Sequence, residues 1–294
     1  MDPDKGNRYD GVIAPVDELF ENVIKYGTVV QDAISNEVGS LVKDYRLSDA
    51  AISKMVIDCM ALHGAIRDCC QCGWAVAAPM LMRTQIELLL GCAAIANGGD
   101  RSEILAYKYY FMSTKSILRL PGLPAEKRGR QRGEAREFLE HLPEHHRQEA
   151  WDFVEKGKQG SFWYSPDYSG PVDILKRHVV PEVLDLYRAL SGAAHGGTLG
   201  IRLWRDIPDM EHPAPRRDPA AQSRAVTGSC VITMQAIHMR FVHQGLDDDP
   251  ILKELMEDNL RNRKPVEDLF VEAMVKAREY VENHLRPGEG GTRE

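Results

Sequence analysis

The chain has 294 residues, of which 43% are hydrophobic, 28% charged and 7% aromatic, and 37 basic against 44 acidic side chains leave a formal charge of −7. This balance excludes a disordered tail protein, a collagen-like chain and a disulfide-stapled mini-protein, and the acidity argues against a general nucleic-acid coat. The length suffices for one or two domains with a sizeable core.

Period-two alternation is nearly absent and apolar positions recur at helical spacing, so the expected fold is all-α, a multi-helix bundle around an antiparallel long-helix hairpin. Helices are expected near 15–38, 48–72, 75–96, 101–119, 125–141, 144–157, 181–194, 220–245, 250–262 and 265–285. The polar N-terminus lacks the apolar core of a signal peptide, which points to a cytoplasmic protein. Ser48 is placed to cap the second helix, with Asp49 favoured by the dipole in its first turn. Four of the six cysteines lie between 59 and 72, unlike a spaced disulfide framework. Cys69, Cys70 and Cys72 lack the second ligand pair of a structural zinc site, so structural thiols are expected, with no metal and no cofactor.

Gly73 separates two long helical patterns. His63 precedes it by ten residues and Arg83 follows it by ten, which sets both about 15 Å from the turn. Arg83 and Glu87 are four apart and share a helix face. They also interrupt the most apolar stretch, 74–96, which argues against a membrane span there. His63, Arg83 and Glu87 are therefore expected to form one polar cluster. It reads either as a satisfied buried ion pair with a neighbouring histidine or as a ligand-binding or catalytic wall.

Asp100 and Glu103 have capping-box spacing at the start of the fourth helix. The next helix carries a basic island, Lys127, Arg128, Arg130, Arg132 and Arg136 against Glu134. It is either a solvated face or a patch contacting an RNA backbone, whose binding would then depend steeply on salt. Phe162, Trp163, Tyr164 and Tyr168 lie among turn formers at 158–171, an ordered loop whose rings pack on a neighbour. Pro181 opens the helix that ends near His195. Residues 1–205 are expected to form the bundle core with the candidate site, and 206–219 a proline-rich crossover. Helices within 220–286 would pack on that core, and 287–294 would be a disordered tail.

Arg188 and His195 lie two helical turns apart with Ser191 between them. Such a pair suits phosphodiester chemistry, in which the guanidinium holds a phosphate and the imidazole moves a proton. Arg83-x3-Glu87, then Phe162-Trp163-Tyr164-Ser165, then Tyr187-x2-Leu190-Ser191-x3-His195 resembles a bacterial all-α family of unknown function, over roughly 50–200. Arg188-x6-His195 also resembles the Arg-x4–6-His signature of HEPN (higher eukaryotes and prokaryotes nucleotide-binding) domains. Those are helical dimers, many of them metal-independent ribonucleases of toxin–antitoxin and phage-defence systems. The resemblance implies phosphate contact by Arg188, acid–base work by His195 and a homo-oligomer acting on RNA. The alternative is a non-catalytic helical subunit with a protein partner. A third arrangement places a small ligand against His63, Arg83, Glu87 and His195.

Overall fold

The computed structural model describes residues 46–72, 77–156, 162–194 and 219–245, together with Glu21 and Glu257. His195, the crossover, the tail and the helices expected near 250–262 and 265–285 lie outside the described residues, as does nearly all of 15–38. Among the described residues the fold is all-α, with nine α-helices and no strand. They are α1 (Leu47–Gln71), α2 (Ala78–Ala96), α3 (Ser102–Tyr110), α4 (Met112–Ile117), α5 (Ala125–Leu139), α6 (Glu144–Glu155), α7 (Pro171–His178), α8 (Pro181–Ala194) and α9 (Pro219–Gln244).

Helices α1, α2 and α9 pack against one another and form the core. Cys59 meets Gln85, and a β-carbon added at Gly91 would collide with Met55, so α1 and α2 run antiparallel, as the hairpin pattern predicts. His63 meets Ser229 while Asp49 meets Gln244, so α9 also runs against α1. Ile52, Val56, Ile66, Ile86, Leu89, Ile95, Val226, Ile232 and Ile237 are buried there. Aliphatic burial of this kind contributes roughly 1.5–3 kcal/mol per side chain. Helix α2 is long and apolar enough to cross a membrane by length and composition, yet it is mostly buried within the bundle.

Three local expectations are corrected. Ser48 is not the N-cap of α1; Arg46 holds that position. The Glu103 carboxylate accepts from the backbone N–H of Leu47 at 3.0 Å and of Ser48 at 3.4 Å, and from the Ser48 hydroxyl. Glu103 thus caps α1 across the fold instead of closing a box with Asp100 on its own helix, because orphan N–H groups accept any well-placed carboxylate. The fourth expected helix is interrupted at Phe111, which packs on Tyr107 and Phe138. Helix α7 was not expected at all. Its signals are Pro171 in the first turn, Asp173 beside it, and Lys176, Arg177 and His178 in the last turn.

The aromatic segment is ordered over 162–170, with Trp163, Tyr164 and Tyr168 buried. Trp163 packs edge-on against Tyr109 of α3. Lys108, only 2% exposed, donates to the Ser165 carbonyl at 3.1 Å and to Glu149 of α6 at 2.5 Å. Arg101 holds the same carboxylate at 2.6 Å and also Asp167 of the loop. Two cations and two carboxylates thereby fasten the loop to α3 and α6.

Candidate functional site

Helix α2 turns about 100° per residue, so Arg83 and Gln85 point about 200° apart. Gln85 faces the three-helix core, where its amide donates to Cys59 O at 2.9 Å and to Thr233 Oγ1 at 3.2 Å. His63 belongs to this interior layer. Its Nδ1 shares a 2.7 Å hydrogen bond with Ser229 Oγ. Burial, with a lesser contribution from Arg67, depresses its pKa to about 3. The expected grouping of His63 with Arg83 and Glu87 is therefore divided. His63 has the anticipated height along the hairpin, but Arg83 faces the other side of α2.

That other side carries the candidate site. Arg83 and Glu87 form an ion pair at 2.7 Å, with Arg83 half-buried and Glu87 exposed. The Arg83 guanidinium lies over the Tyr187 ring, 4.1 Å from its centroid, and Nη2 donates to the Tyr187 hydroxyl at 3.3 Å. Helix α8 supplies Tyr187. Pro181 opens this helix as expected, and Val183 and Leu190 anchor it by burial.

Tyr164 enters from the aromatic loop. Its ring is buried against Trp163 and stacks on exposed Phe162 at 5.1 Å with planes 8° apart. Burial raises the Tyr164 pKa, and the nearby Glu87 carboxylate and Tyr187 phenol raise it further, so its hydroxyl retains its proton. Tyr109 of α3 is pushed up to about 12, mainly by burial, with Cys92, Asp58, Cys59 and Glu87 as lesser contributors. Ser191 lies one turn beyond Tyr187 on the same face of α8. Its Oγ is buried without a hydrogen-bond partner.

The structure thus assembles Arg83, Glu87 and Tyr187 from the expected set and adds Tyr164. Tyr164 belonged to the recognised aromatic segment, but nothing local indicated that its phenol is buried within electrostatic reach of Glu87. Arg188 is not part of the cluster. Its side chain is 56% exposed and its guanidinium pairs with Asp185 at 3.2 Å. The partner His195 lies outside the described residues.

The basic island forms the exposed helix α5. Arg132 makes a two-pronged pair with Glu155 of α6 at 2.6 and 2.9 Å. Arg136 lies over Trp151, 4.6 Å from the ring centroid, and Arg130 is 4.0 Å from Glu134. Lys127 is exposed and Arg128 half-buried. Part of this basic charge therefore binds α5 to α6. None of the six cysteines forms a disulfide, and Cys59, Cys70, Cys92 and Cys230 are buried. Among the described residues no three His, Cys, Asp or Glu side chains form a metal-ligand group.

No family model matches the chain, and neither a curated protein nor a solved structure matches it.

Proposed function

We propose that this chain is a HEPN-like protein that binds or cleaves RNA, acting without a metal in the cytoplasm as a homo-oligomer and serving as a toxin or phage-defence component. The observation that supports this reading is the position of Arg188, solvent-facing at 56% exposure on a helix whose opposite side is anchored in the bundle. Its i,i+3 pair with exposed Asp185 is worth only a few tenths of a kcal/mol, so a phosphodiester can displace it. In this reading Arg188 holds the phosphate and His195 transfers the proton. Lys127, Arg128 and Arg130 contact the backbone, with Arg132 released from Glu155 to join them.

Incubation of the full chain with RNA in the presence of EDTA is the test. Cleavage should persist in EDTA, stop in His195→Ala and fall at least tenfold in Arg188→Ala, with both variants retaining the wild-type circular dichroism spectrum. Undiminished cleavage by His195→Ala overturns the catalytic assignment.

A second reading, a non-catalytic helical subunit with a protein partner, is favoured by a different observation. Exposed Ala189 follows Arg188, where active HEPN motifs usually carry a polar residue. Exposed Tyr110 and Met112, adjoining the α3–α4 junction, supply apolar surface for such a partner. Intact RNA after prolonged incubation with the wild-type chain selects this reading.

A further inference from the structure

We propose that the Arg83–Tyr164–Ser191 region binds a small oxyanion of single negative charge, a site separate from the solvent-facing Arg188 and independent of the RNA reading. Three buried atoms there have no hydrogen-bond partner: Arg83 Nη1, Tyr164 Oη and Ser191 Oγ. All three can donate. An unpaired buried polar group costs about 1–3 kcal/mol, and here three that can donate fall on neighbouring elements. Tyr164 is only 4% exposed as a whole residue, which excludes a solvated phenol.

The Arg83 guanidinium is already oriented. Glu87 and the Tyr187 hydroxyl take its Nη2 edge and the Tyr187 ring covers its face, which leaves Nη1 for an incoming oxygen. Tyr164 and Tyr187 are close enough to influence each other's ionisation, and Ser191 lies one turn from Tyr187. The donors therefore come from α2, the aromatic loop and α8, three elements held in place by burial. The ligand's charge follows from its neighbours. Glu87 offsets the charge of Arg83, so the region has too little positive charge to repay the larger desolvation cost of a dianion, while a monoanion finds a guanidinium edge and two hydroxyls. A carboxylate and a phosphodiester share this chemistry.

Thermal unfolding of the full chain with acetate, dimethyl phosphate or inorganic phosphate, at matched ionic strength and pH 8, tests the site. At least one of the two monoanions should raise Tm in a saturable manner, and which one identifies the source. Tyr164→Phe and Ser191→Ala should each weaken the apparent affinity at least threefold, and Arg83→Met should abolish it. Arg188→Ala should leave the shift unchanged, which separates this site from the RNA reading. Three results overturn the proposal: no saturable shift with either monoanion, a shift undiminished in Tyr164→Phe, or a larger shift with inorganic phosphate, mostly a dianion at that pH. Tyr164→Phe keeps the ring and its packing, so the test does not depend on a variant that fails to fold.

Discussion

Two charged clusters flank the aromatic loop and differ in how completely they are answered. On one side Arg101 and Lys108 meet Glu149 and Asp167, and Lys108 also donates to the Ser165 carbonyl. On the other side Arg83 meets Glu87 and Tyr187, while Arg83 Nη1 and the Tyr164 hydroxyl have no hydrogen-bond partner. The first arrangement fastens elements together, because cations and carboxylates match in number and the buried ammonium has two acceptors. The second is oriented but incomplete. Buried charge by itself does not distinguish a fastening from a site; the balance of donors and acceptors does.

The largest expected effect is on the fastening side. Glu149→Ala leaves the buried Lys108 without its carboxylate and should cost about 3 kcal/mol in urea unfolding. A loss below about 1 kcal/mol would place Lys108 among surface charges and remove the contrast between the two clusters.

Acid titration sharpens it further. His63 is buried neutral with a pKa near 3, so the unfolded chain takes up the proton first as pH falls below 6.5. The resulting stability loss approaches about 1.4 kcal/mol per pH unit between roughly 6 and 4, and should flatten in His63→Gln. Glu149 acts in a lower window. Burial raises its pKa, but hydrogen bonds from Arg101 and Lys108 outweigh this and hold it at about 2. Its contribution is present above the ordinary carboxylate pKa and is lost as pH falls from about 4.5 towards 2. Unfolding curves measured every half unit should show both slopes, with the lower one missing in Glu149→Ala.

Smaller effects belong to the incomplete cluster. Arg83→Met loses the stacking on Tyr187 and a half-exposed ion pair, and should cost about 1 kcal/mol. Tyr164→Phe removes a hydroxyl with no hydrogen-bond partner, so stability should stay within about 0.5 kcal/mol of wild type or rise slightly. A cost above about 1.5 kcal/mol in Tyr164→Phe would mean that this hydroxyl serves the fold, and the two clusters would then be alike.

Much of this architecture was legible in residue order. Periodicity located the long helices, Pro181 marked the start of α8, and the spacing around Gly73 set His63 level with Arg83. Helix α7 went unseen because its eight residues follow a run of turn formers and make barely two turns, too short a window for periodicity to register, although its end signals were present. The cap on α1 was hidden for another reason. Glu103 is more than fifty residues from the N–H groups it satisfies, and capping patterns report only neighbours in sequence.

What the amino-acid order determined by itself was the all-α class, the hairpin and a short list of charged residues with chemical potential. Tertiary structure decided which of them meet. Rotation of α2 within the bundle sends Gln85 towards Thr233 and Arg83 towards Tyr187, and the fold of the aromatic loop buries Tyr164 within electrostatic reach of Glu87. Helical periodicity fixes the angle between two side chains on one helix. Which neighbour each side chain faces depends on the packing of three other elements, and that information is spread across the whole chain.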